Sequence, residues 1–250
     1  RPLASSCTVS RPVCPTTTRP QVQQLPPPQR LLLLQSLVCR RHRAAAVAVA
    51  VPYGSHTGVV YSDDDGMMQF IHLAFHHRLQ RDTLANGIGW VSPANAIPPE
   101  RLAHVAAMCD RIWERHEKSG LPYGFRYDAT CFHSDGKVEL GPDECGLTCA
   151  TFVLAVYRSV GLELLKIEDW PTRDDDEQRF NQLLDLLKKT RADQKHIDAV
   201  AKETKSARYR PMEVAAGSGI TPPASFDNAT AGAAAIEKEL SVLPPVPPEA

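Results

Sequence analysis

Three side chains of this sequence have the types and order that nucleophilic chemistry needs: a cysteine, Cys149, and two upstream histidines, His56 and His72. A thiol becomes a nucleophile when its thiolate is stabilised, and the first turn of a helix does this through unpaired N–H groups and the positive end of the macrodipole. Thr148 is a natural N-cap, and Phe152, Val153, Val156 and Val160 follow Cys149 at helical spacing, so the thiol is expected at such a helix start. The Cys149 N–H would then stand where an oxyanion develops. A thiol nucleophile also needs a base and a group that orients the base. His56 and His72 fall on two successive apolar segments joined by Asp63-Asp64-Asp65-Gly66, a turn sequence, so a β-hairpin would bring them side by side.

Other chemistries compete for the same residues. Cys149 is equally readable as a small buried residue of a core helix. Cys131-Phe132-His133 with Cys145 and Cys149 offers four soft ligands for a structural zinc ion, although the spacing departs from the usual Cys-x-x-Cys knuckle. His72-x-x-x-His76 has the spacing of a zinc-binding helix but carries Leu73 where the metalloprotease glutamate would stand, so His76 and His77 are expected as pocket-lining residues. Cys145 and Cys149 are too far apart in sequence for a reactive Cys-x-x-Cys pair. The acidic runs 63–65 and 174–177 read as a solvated turn and a helix start rather than calcium loops.

Ser55-His56-Thr57-Gly58-Val59-Val60-Tyr61, then Asp65-Gly66, then Phe70-Ile71-His72-Leu73, resembles the histidine hairpin of the circularly permuted papain-like superfamily. That group includes lecithin:retinol acyltransferase-like enzymes and relatives of the NlpC-type cell-wall peptidases. Cys149-Ala150-Thr151-Phe152-Val153 is similar to its Cys-x-x-Phe-Val helix start, with Thr148 and Ala150 departing from the acyltransferase pattern. The resemblance implies Cys149 as nucleophile, His56 as general base and then acid, and His72 as the group orienting His56. It implies a cysteine-dependent hydrolase or acyltransferase that cleaves an amide, of peptide or peptidoglycan type, or a lipid ester through a thioacyl intermediate. No cofactor and no metal enter that chemistry. The alternatives are a non-catalytic papain-like binding module and a zinc-stabilised interaction domain.

The elements that must position these groups follow from periodicity. Residues 44–51 alternate as a strand, 56–61 and 67–75 as a hairpin, and 82–98 as a loop anchored by Trp90. Pro99-Glu100 starts a helix whose apolar face runs from Leu102 to His116 and which Gly120 stops. Residues 123–140 read as strands around Ser134-Asp135-Gly136, 149–160 as the cysteine helix ending at Gly161, 174–190 as another helix, and 192–205 as weakly helical. The fold class expected is α+β, an antiparallel sheet packed on a nucleophile-bearing helix in a permuted papain-like arrangement.

At 250 residues, with 43% hydrophobic side chains and a formal net charge of -1, the chain has the composition of one globular domain with tails. It lacks the basic excess of a nucleic-acid binder, so nucleic acid is not an expected partner. No apolar run approaches a membrane span of about 20 residues. Residues 1–43 are expected to be a disordered Pro-rich tail, 44–217 the catalytic domain, and 218–250 a disordered Pro- and Ala-rich tail. Composition leaves cytoplasmic and secreted locations undistinguished.

Overall fold

The computed structural model describes residues 31–33, 45–50, 56–83, 88–128, 130–190 and 192–241. The N-terminal tail, apart from 31–33, and the last nine residues lie outside the described residues.

Eight strands and six α-helices are described. One sheet holds β1 (Leu31–Leu33), β2 (Ala45–Ala50), β3 (Thr57–Ser62), β4 (Met68–Phe75), β5 (Arg78–Thr83) and β6 (Ile88–Val91) in the order β1-β6-β2-β3-β4-β5. Every pairing in it is antiparallel. The remaining elements are α1 (Pro99–His116), the short pair β7 (Cys131–Phe132) and β8 (Val138–Glu139), α2 (Cys149–Arg158), α3 (Asp176–Lys189), α4 (Gln194–Val200), α5 (Pro211–Ser218) and α6 (Phe226–Ser241). The α+β class with an antiparallel sheet is therefore the architecture of the chain.

Alternation along the strands separates two faces. Val47, Val49, Val59, Tyr61, Ile71 and Leu73 enter the main core under the helices, while Ala46, Ala48, Val60, Phe70 and Trp90 form a smaller cluster on the other face. The core centres on α2, whose residues Cys149 through Tyr157 are all buried. Phe152, Val153 and Val156 are fully buried there, each contributing roughly 1.5–3 kcal/mol relative to an exposed position. The helix packs on β3 and β4, with α1 and α5 beside it. A hydrogen bond from Tyr61 Oη to Asp110 (2.9 Å), with Arg81 also reaching Asp110 (3.6 Å), ties β3 and β5 to α1.

Three expectations are corrected. The stretch 82–98 is not wholly loop: β6 pairs with β1 and β2, and β5 forms a tight hairpin with β4. β5 is an edge strand rich in charge, as edges commonly are, and only Leu79 of it is buried, so its periodicity is faint. Residues 123–140 are mostly irregular and contribute only the two-residue strands β7 and β8. Carboxylates replace the ladder there: buried Glu203 accepts from the N–H groups of Phe125 (2.6 Å) and Cys145 (3.0 Å), and buried Glu144 accepts from those of Asp128 and Gly141. Finally, residues 226–241 of the expected C-terminal tail form α6, whose Ala229, Ala233 and Ile236 are buried at helical spacing against a core that includes α5. Small side chains let two helices approach closely, so low hydrophobicity here marks a tight interface rather than disorder.

Candidate active site

The N-terminus of α2 is built as its sequence predicts. Thr148 caps it reciprocally: the Thr151 N–H donates to Thr148 Oγ1 (3.1 Å), and the Thr148 N–H donates to Thr151 Oγ1 (2.7 Å). Such a cap stabilises a helix by about 1 kcal/mol and fixes the direction of the first turn. Cys149, only 8% exposed, projects from that turn. Burial pushes its thiol up from the usual value, and the backbone N–H groups of Thr57, Ala150 and Cys149, together with Arg208, pull it partly back. The amide that reaches across from the sheet belongs to Thr57, the residue after His56.

His56 stands immediately before β3 and His72 in the middle of β4. His56 Nε2 lies 2.7 Å from His72 Nδ1, with the rings edge-on at 82°. His72 Nε2 lies 3.0 Å from Asp82 Oδ2 on β5, and its ring stacks on Phe70 at 4.6 Å. A carboxylate only accepts, so Asp82 places the proton of a neutral His72 on Nε2 and leaves its Nδ1 as an acceptor. His56 then donates from Nε2 and carries its free lone pair on Nδ1. The chain from Asp82 to His56 thus selects the tautomer in which His56 is a base. Burial, then the neighbouring His72, lowers the His56 pKa to about 4, so the imidazole is neutral at physiological pH. Burial lowers His72 as well, against the opposing effect of Asp82.

Gly58 permits this arrangement. A Cβ at this position would come within 2.7 Å of both His72 Cβ and the Phe70 ring, so the close approach of β3 to the histidine strand depends on its absence.

The structure brings His56 and His72 together directly, and links Cys149 to them through the Thr57 amide. Among the described residues no hydrogen bond joins the thiol to the His56 ring. His72 shares the sheet face of Phe70, whereas α2 packs on the opposite face, and the Thr57 amide at the start of β3 is the group of the sheet that acts on the thiol. Cys149 also forms part of the wall of a cavity of about 50 Å³, with Tyr123, Phe125, Phe180, Arg179 and Arg208 among its neighbours.

Sequence reasoning missed Asp82, placed in an expected loop. Its signal was the edge strand itself: His72 pairs with Gln80 and Phe70 with Asp82, which makes Asp82 a diagonal neighbour of His72. His76 and His77 sit in the β4–β5 turn and do not line this cavity. They stand one layer behind it. His76 Nδ1 accepts from the Tyr123 N–H (3.2 Å), while His196 Nε2 donates to the Tyr123 carbonyl (2.9 Å), so the two histidines clamp the backbone of a wall residue.

The zinc arrangement does not assemble. His133 pairs with Glu139, Cys145 lies beside Glu203 in a separate cavity, and among the described residues no group of three His, Cys, Asp or Glu side chains is placed to hold a metal ion. His72 and His76 lie on a strand and its turn, where four-residue spacing does not converge as it does on a helix. No described helix is long and apolar enough to cross a membrane.

The described chain is thus an α+β protein with an antiparallel sheet, a cysteine at a helix start and a hydrogen-bonded Asp82–His72–His56 chain on the sheet. Comparison of the chain with family models, curated proteins and solved structures finds no match.

Proposed function

We propose that the protein is a cysteine-dependent hydrolase or acyltransferase of permuted papain-like architecture, acting on an amide or ester through a thioacyl intermediate. The observation that carries this reading is the hydrogen-bonded chain Asp82–His72–His56, which leaves His56 Nδ1 as a neutral base next to the strand amide that acts on the Cys149 sulfur. Both groups are neutral at rest, so the thiol is activated during attack rather than stored as an ion pair. Cys149 Sγ bonds to the substrate carbonyl carbon as its proton passes to His56 Nδ1. The developing oxyanion is held by N–H groups at the α2 start. His56 then gives the proton to the departing amine or alkoxide as the carbon–heteroatom bond breaks. Water, deprotonated by His56, releases the acyl group and restores the thiol. Hydrogen bonds of catalytic groups commonly tighten only when substrate is bound, which accommodates the resting separation of thiol and imidazole.

A non-catalytic binding module is the second reading, favoured by that same resting separation and by a thiol held above its ordinary value. A panel of activated acyl esters and amides separates the two. The hydrolase reading expects turnover that Cys149→Ala abolishes and that His56→Ala lowers by about 10²–10⁴-fold in kcat/KM. Equal rates in wild type and Cys149→Ala across the panel would leave the binding module standing.

A further inference from the structure

The cavity beside Cys149 carries more positive charge than its own ion pairs consume. Two arginines, Arg179 and Arg208, and one carboxylate, Asp176, line it, with Arg173, Arg210, Asp175 and Glu213 paired nearby. Arg173 takes Asp176, through its backbone N–H (2.9 Å) and side chain, and also takes Glu213. Arg210 grips both oxygens of Asp175 at 2.6 and 2.8 Å. Each acid thus has an arginine as its ion-pair partner, although Asp176 Oδ1, 3.6 Å from Arg173 Nε, accepts no hydrogen bond. Arg208 is left with a loose share of Asp175 at 3.7 Å, and among the described residues the Arg179 guanidinium is given only the Gln182 side-chain oxygen at 3.2 Å as a hydrogen-bond partner. Both of these under-used guanidinium groups line the cavity that contains the thiol. Arg208 is also anchored, since its carbonyl accepts from Trp170 Nε1 and from Arg173. The same arginine acts on the Cys149 sulfur, which places its charge within range of anything bound there.

The direction of the chemistry decides which part of a substrate enters. His56 protonates the leaving group, so the leaving group lies on the His56 side of the sulfur. His56 is not part of the cavity wall, and the acyl portion therefore extends into the cavity. At about 50 Å³ the space suits a group of about three or four water volumes. Aromatic walls from Tyr123 and Phe180 would seat a short apolar linker, and a guanidinium in the same wall pairs most strongly with a planar carboxylate.

From this placement we infer that the protein selects a short acyl donor bearing a second, anionic group of carboxylate type on its acyl side, held by Arg208 with help from Arg179. The inference rests on the thioacyl reading for its direction but can be tested without turnover. Iodoacetate and iodoacetamide are nearly isosteric and differ in charge, and both are small enough for the cavity. The ratio of their alkylation rates at Cys149, followed by peptide mass spectrometry at pH 8 with N-acetylcysteine amide as reference thiol, reads anion selection directly. The expected ratio is about tenfold above that of the reference, as one charge-assisted hydrogen bond would give. Arg208→Gln removes most of the gain. Arg179→Gln, on the outward part of α3, removes a smaller part and guards against a folding defect at the more enclosed Arg208. A wild-type ratio equal to the reference overturns the inference, as does a ratio unchanged in the double variant or a Cys149 that neither reagent reaches. Anion-selective alkylation in a protein that hydrolyses none of the acyl panel would uphold the anionic subsite and remove the hydrolase reading, so the two failures are distinguishable.

Discussion

At the scale of single residues, the roles of Cys149, His56 and Asp82 separate by what each removal changes. Asp82 touches no substrate in this account; it orients His72 and through it His56. Asp82→Asn is expected to lower kcat with KM little changed, by less than His56→Ala does, and Asp82→Glu to recover part of the loss. A structural role alone would instead show as a lowered Tm with kcat intact in the protein that stays folded. The pH dependence follows from His56. Its pKa in the folded protein is about 4, and it must be neutral to accept the thiol proton, so kcat/KM is expected to hold from neutrality to about pH 5 and to fall as pH drops through about 4. An acid limb near 6.5, the ordinary histidine value, would mean that the imidazole is not held as the structure holds it. The placement of Cys149 at a helix start and of His56 beside His72 was readable in the sequence because residue type, order and a helix cap carry their own signal. Asp82 was not, because an acidic residue on a charged edge strand has the composition of a loop, and its partner is fixed only by the register with β4.

Among the elements, the β3–β4 hairpin and α2 were legible because their apolar alternation and helical stripe are strong, and the start of α1 because Pro99 and Glu100 mark it. What escaped was structure whose stability comes from partners far along the chain. The segment 121–148 has little periodicity of its own, and Glu144 and Glu203 satisfy its amides instead of a sheet ladder. Glu203→Ala, which strands the amides of Phe125, Arg126 and Cys145, is expected to cost about 2–4 kcal/mol in urea unfolding, and to disturb the wall formed by Tyr123 and Phe125. Gly58→Ala is expected to destabilise by about 1–3 kcal/mol through overpacking against β4, and to reduce activity beyond that loss because the histidines can no longer approach. α6 was read as tail because alanine carries little hydrophobic weight. Ile236→Ala, at a fully buried position of that helix, is expected to cost about 2–4 kcal/mol; an unchanged urea midpoint would show that α6 does not dock.

For the molecule as a whole, the buried and half-buried histidines couple stability to pH. His56, His72, His76 and His116 all have lowered values, with burial the largest cause in each. A histidine whose folded pKa is depressed binds fewer protons when folded, so stability is greatest above the unfolded value of about 6.5 and declines as pH falls toward the folded values. Tm is expected to drop on the order of 10 °C between pH 7 and pH 4.5, measured at constant ionic strength. A flat Tm over that range would contradict the depressed values of these rings. The central claim is that Cys149 forms a covalent acyl adduct with the help of His56. Intact-mass spectrometry of the protein mixed with an excess of 4-nitrophenyl acetate at pH 7 tests it most directly. The account expects one acetyl group, mapped to Cys149, that appears quickly and decays by hydrolysis, forms far more slowly in His56→Ala, and is missing in Cys149→Ala. An adduct spread over Cys131, Cys145 and lysines, or one that forms at Cys149 equally fast without His56, would contradict it.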